Sequence, residues 1–301
     1  MIAADELLNR SKAVLLGVAV GDALGAPVEF MTPGEIAAKY GRLDEMVGGG
    51  WLRLKPGQVT DDTEMTLCLA RGIVNSGNWD LRAIAGEFAG WLKSKPIDVG
   101  DTCRRGIRNF ILKGGLETPP NQWDAGNGAL MRMTPVALYS LGSDELLEKY
   151  SREQGHLTHN HPLSDAACIA YGRMTQMALL GAEKNRLRRE AERLVAAYPI
   201  FRYDPYPGLA TGYVVDTIQT VFHQFFRSRS FEECIVATVN QGGDADTTGA
   251  IAGGLAAAYY GLEDIPRRWL KKLDGRYLAE LESLASRLFN LSPYHGNTNV
   301  K

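Results

Sequence analysis

The chain has 301 residues, enough for one large domain or two ordinary ones, and its 45% apolar and 23% charged content is that of a soluble globular protein. The formal net charge is −2 and acidic and basic residues are interspersed, which argues against a nucleic-acid-binding face or a basic membrane surface. Four cysteines, Cys68, Cys103, Cys168 and Cys234, stand far apart with no C-x-x-C pair; zinc-ribbon and thioredoxin chemistry are disfavoured, and free thiols in a reducing cytoplasm are expected.

The N-terminus, Met1-Ile2-Ala3-Ala4-Asp5-Glu6, lacks a basic leader region, and the apolar run Val14 to Val20 is short and continues into Gly21-Asp22. No stretch reads as long enough to span a bilayer; the longest, Gly249 to Leu262, is rich in Ala and Gly and reads as a buried helix. Helical periodicity then dominates. The sequence predicts helices over Glu6 to Gly25, Asp62 to Asn75 and Leu81 to Lys93. It predicts another from a cap at Ser143 or Asp144 towards Tyr150, then Ser164 to Leu180 after a proline and Lys184 to Tyr198 with a charged face. Val214 to Phe226, Phe231 to Asn240, Thr247 to Tyr260 and Arg268 to Phe289 complete the set. Loops hold Gly48-Gly49-Gly50, Pro119-Pro120, Gly126-Asn127-Gly128, His156 to Pro162 and Asp204 to Gly212. Strand signals are scarce, and no linker or repeat divides the chain. The expectation is an all-α protein forming a single domain over residues 1–301.

Two acidic clusters stand out: Thr60-Asp61-Asp62-Thr63-Glu64 and, far downstream, Gly243-Asp244-Ala245-Asp246-Thr247-Thr248. Each opens a helix, and helix capping accounts for either one alone. It does not account for the pair. Crowded carboxylates raise one another's pKa values unless a cation lies between them, and hard divalent cations take oxygen ligands. The two clusters together are therefore read as one metal site that closes on folding, holding one ion or two that share a carboxylate. EF-hand spacing is absent. His156, His159 and His161 match no common zinc pattern. By sequence alone Glu29 is a loop acid, Asp98 an N-cap, Gly126-Asn127-Gly128 a turn and Tyr213 a core tyrosine.

Gly17-Val18-Ala19-Val20-Gly21-Asp22-Ala23-Leu24-Gly25, Thr60-Asp61-Asp62-Thr63, Gly126-Asn127-Gly128 and Gly242-Gly243-Asp244-Ala245-Asp246-Thr247-Thr248-Gly249 together resemble the ADP-ribosylglycohydrolase family, in the family's order. Finer matches lie at Gly49 to Gln58, at Trp91-Leu92-Lys93-Ser94 with Val99-Gly100, and at Thr158 to Leu163. They resemble the branch that removes ADP-ribose from an arginine of nitrogenase iron protein. The resemblance implies an all-helical hydrolase with two divalent cations, Mn2+ or Mg2+. The implied ligands are Thr60, Asp61, Asp62, Asp244, Asp246 and Thr247, with Asp246 bridging. It implies that Glu29 approaches the metals and that Asp98 is the catalytic acid/base. Asn127 and Gly128 would lie near ribose and phosphates, with Arg132 adding charge. His159 or Asn160 would contact the diphosphate, and Tyr213 the adenine or ribose. Close relatives further imply regulation by a PII signalling protein and a membrane ammonium-transporter complex, reached through protein contacts. Other ADP-ribose linkages (to serine, or O-acetyl-ADP-ribose) and a non-catalytic ADP-ribose-binding module are the alternatives.

Overall fold

Residues 4–298 are described by a computed structural model, with side chains considered over residues 5–296; Met1 to Ala3, on which part of the leader reading rests, lie outside them. Among the described residues the order is α1 (Ala4–Gly25), α2 (Pro33–Tyr40), α3 (Asp61–Ser76), α4 (Leu81–Lys93), α5 (Asp101–Lys113), α6 (Thr134–Tyr139), α7 (Asp144–His156), α8 (Pro162–Leu179), α9 (Lys184–Ala197), α10 (Val214–Arg227), α11 (Phe231–Val239), α12 (Ala245–Tyr260), α13 (Arg267–Leu270), α14 (Gly275–Asn290) and α15 (Pro293–Thr298). No strand forms among them; two isolated bridges join Gly49 to Leu54 and Gly126 to Tyr213. The all-α expectation holds.

The axis of the bundle is the pair α1 and α12, both buried along most of their length. They are antiparallel and touch backbone to backbone. A Cβ on Gly21 would fall 2.0 Å from the carbonyl oxygen of Gly249, and one on Gly253 would fall 2.0 Å from that of Gly17. Glycines four apart on both helices form this seam, since residues at that spacing share one helix face. The seam sets the C-terminal end of α1, with Asp22, against the N-terminal end of α12, with Asp244 to Thr247. Helix α3 packs between α4 and α14, and its first turn reaches the same level through bonds to Asp22. All four cysteines are buried free thiols.

Three differences from the sequence reading have physical causes. The predicted helix Arg268 to Phe289 is two helices, because Asp274 leaves the helical conformation and its side chain accepts from the Arg276 N–H to start α14. Helices α2 and α5, and the short α6 and α15, were not anticipated. Helix α2 carries a full capping box from Thr32 and Glu35; α5 buries only Cys103, Gly106 and Ile107, too sparse a stripe for periodicity to mark. Finally, α1 does have the length and composition to cross a bilayer, against the expectation that no stretch does, but 94% of its apolar window is buried inside the protein.

Candidate active site

The first turns of α3 and α12, the segment after α1 and the segment before α5 converge on a cavity of about 620 Å³. Glu29, Asp61, Asp98, Asp244, Asp246 and Thr247 line it. Thr60 and Asp62 lie fully buried beneath. Gly242 and Gly243, with φ of 67° and 63°, bend the chain so that Asp244 enters α12 from the correct side.

Helix capping does not explain these groups. Thr60 and Asp244 occupy N-cap positions, yet neither side chain caps its helix. The Thr60 hydroxyl instead lies 2.9 Å from Asp22 Oδ1 and 3.1 Å from Asp62 Oδ2. Thr247 Oγ1 stands 3.4 Å from the same Asp62 oxygen and so joins the two clusters. The other oxygen, Asp62 Oδ1, is buried and has no hydrogen-bond partner among the described residues. Ligand oxygens of Glu29, Asp244 and Asp246 all fall within 4.8 Å of one another. Among the described residues no lysine or arginine forms an ion pair with Asp61, Asp62, Asp244 or Asp246.

Burial raises every one of these carboxyls. Asp61, Asp62 and Asp246 are pushed well above the ordinary carboxylate range by desolvation, and neighbouring carboxylates push them further. Desolvation takes Glu29 to about 7 against the opposing bond from the Trp51 indole N–H at 2.6 Å, with Asp244 and Asp98 adding repulsion. Asp98 is raised by burial, partly offset by the Val99 N–H. Asp244 is also raised by burial, against the amide of Asn127 at 2.5 Å. An orphaned carboxylate oxygen and a knot of buried acids without a protein counter-ion fit a divalent cation held by oxygen. Thr60, Asp61, Asp62, Asp244, Asp246, Thr247 and Glu29 offer such oxygens.

The remaining wall includes Asn127, Gly128 and His159. Asn127 spends its side-chain N–H groups on Asp244 and Thr217. Asn160 and Tyr213, expected at the ligand, are not among the cavity-lining residues. Asn160 turns its amide to the Thr118 carbonyl and Glu117, away from the cavity. Tyr213 packs against the hydrophobic core, and its contribution to the wall region is a backbone bridge to Gly126. His156 pairs with Asp165 and Glu117, and His161 accepts from the Leu163 N–H; both are structural. Asp22 and Trp51 were missed. Asp22 accepts from the backbone and hydroxyl of both Thr60 and Thr63, which sets the first turn of α3; its pKa rises to about 6 because burial outweighs those bonds. One acid inside the otherwise apolar stretch from Ala13 to Gly25 was its signal.

A helical bundle with a buried cluster of carboxylates at a cavity floor defines a class of protein with a site that could hold a metal ion. The chain matches the ADP-ribosylglycohydrolase family over residues 3–297 and belongs to it. It is 52% identical to an ADP-ribosyl-[dinitrogen reductase] glycohydrolase of Rhodospirillum rubrum over 284 residues, covering 94% of this chain and 97% of that one. It is 31% identical to an ADP-ribosylarginine hydrolase of Pseudomonas putida (strain GB-1), covering 96% and 80%. A solved structure titled "ADP-ribosylglycohydrolase-related protein complex" superposes with a TM-score of 0.83 at 34% identity, covering 95% and 99%.

Proposed function

We propose that this protein hydrolyses the N-glycosidic bond between ADP-ribose and an arginine side chain of a modified protein, with ADP-ribosylated nitrogenase iron protein as its substrate. The observation that carries the reading is the junction of the two acidic clusters at Asp62, where Thr247 meets one carboxylate oxygen and the other is left bare for a cation. The names of the relatives supply the substrate class.

Thr60, Asp61, Asp62, Asp244, Asp246 and Thr247 would hold two divalent cations, Mn2+ or Mg2+, with Asp246 shared. When bound, these cations polarise the ribose hydroxyls and acidify water. The chain's own groups do the rest. The reaction breaks the bond from ribose C1 to a guanidinium nitrogen; water supplies hydroxyl to C1 and a proton to the departing nitrogen. Asp98 stands at the cavity wall with a raised proton affinity and moves that proton. Glu29, held by Trp51, orients water at the cluster's edge. Asn127 keeps Asp244 aimed at the cluster, and the turn at Gly128 brings backbone close to the ligand. Asn160 serves by tying its loop to Thr118, and Tyr213 by anchoring the start of α10.

The protein would act in the cytoplasm. Because α1 is enclosed by the bundle, association with an ammonium-transporter complex or a PII protein would use protein contacts. Titrating Mn2+ into chelator-treated enzyme with arginine-modified protein should restore ADP-ribose release in step with metal binding. Full turnover by metal-free enzyme would refute the reading.

A further inference from the structure

Arg132 is a cation without an anion. It is completely buried, and among the described residues no carboxylate lies within ion-pair distance of it. Its guanidinium lies 4.8 Å from the centre of the Phe88 ring. Nε donates to Gln154 Oε1 at 2.8 Å; Nη2 donates to the Gln154 carbonyl at 2.9 Å and to Thr158 Oγ1 at 2.7 Å. Nη1 faces the sulfurs of Cys103 and Met65.

A guanidinium can only donate, so Thr158 Oγ1 accepts from Arg132 and keeps its own proton free. That hydroxyl stands 2.7 Å from Nδ1 of His159. Were Nδ1 protonated, the threonine would accept twice and its proton would be left orphaned in a buried site. Donation from Thr158 to Nδ1 satisfies every group. His159 is also uncharged, since burial and the nearby Arg132 and Arg105 hold its pKa down at about 3. A neutral imidazole that accepts at Nδ1 carries its proton on Nε2. No hydrogen-bond partner for Nε2 is found among the described residues, although His159 is only 2% exposed. Nε2 lies beside the glycine-rich turn of the cavity wall: a Cβ on Gly126 or on Gly128 would come within 3.1 Å of it.

We propose that Arg132 is a positioning residue which, through Thr158, locks His159 as an uncharged Nε2–H donor aimed at an acceptor oxygen of the cavity's ligand. The proposal rests on the reading of the cavity as an ADP-ribose site, where the diphosphate is the oxygen-rich part. It assigns His159 neither a base's role nor a cation's.

The test is the 15N spectrum of histidine-labelled protein, with His159 assigned by His159→Asn, alongside the Kd for ADP-ribose in Mn2+. In wild type the ring shifts should show the Nε2–H tautomer without titration between about pH 5 and 8. Thr158→Val removes only the hydroxyl; it should produce a mixed tautomer and weaken ADP-ribose about tenfold, with Thr158→Ser restoring both. Arg132→Met should do the same, and the threonine variants decide the matter if it fails to fold. A wild-type proton on Nδ1, or an unchanged tautomer and Kd in Thr158→Val, would overturn the proposal. The ring shifts are read without ligand, so a wild type that binds no ADP-ribose refutes the cavity's reading and leaves the relay judged on its own spectrum.

Discussion

At the scale of single residues, the proposed mechanism divides groups that hold charge from groups that move a proton. Asp246 belongs to the first kind: Asp246→Ala should abolish Mn2+ binding, measured by calorimetry, and ADP-ribose release together. Asp98 belongs to the second. Asp98→Asn should keep metal and ADP-ribose affinity while lowering turnover at least about a hundredfold, in line with the worth of a general acid or base; unchanged turnover would contradict its role. The raised acids also set a pH dependence. In the metal-free protein Asp22 titrates near about 6 and Glu29 near about 7, above the ordinary values of 3.8 and 4.5. The folded state then binds more protons than the unfolded state across that window, so stability is full at low pH and is lost as pH rises through about 6 to 7. Thermal unfolding of chelated protein should show a midpoint that falls over this range. Excess Mn2+ should reverse the trend, because cation binding needs the carboxylates ionised. A metal-free midpoint that rises from pH 5 to pH 7 would disprove the assignment.

At the scale of elements, the α1–α12 seam fixes the distance between Asp22 and the second acidic cluster. Gly21→Ala would drive a methyl into the Gly249 carbonyl and must spread the helices. It should destabilise by at least about 1–3 kcal/mol, as overpacking does, and weaken Mn2+ binding at the same time. Gly86→Ala is the control: it lies inside α4 with open space around its Cβ, and should stabilise by about 0.5–1 kcal/mol in urea unfolding without touching metal affinity. Elements were also where the sequence was most readable. Apolar spacing marked α4 to its last residue and most of α1, α3 and α10, because each buries a broad stripe, while a charged face marked α9. The spacing missed α5, which buries little, and ran α13 into α14, because the break at Asp274 is a local capping event inside a continuous apolar pattern. The clusters were legible as chemistry since like charges so crowded need a reason. Their supports were not: Asp22, Trp51 and Thr158 act through contacts between residues distant in sequence or through a hydrogen-bond direction that no spacing records. Asn160 and Tyr213 sat beside the right motifs; the Asn160 amide turns to the protein's own loop, and Tyr213 stands half-buried next to the cavity-lining Gly212.

At the scale of the whole molecule, the bundle works as a frame that brings two distant acidic turns to one cavity floor and sets Asp98 on the wall. The frame is shared with the solved ADP-ribosylglycohydrolase-related structure. For this chain the proposed linkage is the one to arginine. The account's central claim is that its metal-dependent cavity hydrolyses arginine-linked ADP-ribose, and one assay addresses this directly. ADP-ribose release is measured from arginine-modified and from serine-modified protein, each with Mn2+ and after chelation. The account predicts release from the arginine-modified protein with Mn2+ alone. Release from the serine-modified protein at an equal rate, or release from either one after chelation, would contradict it.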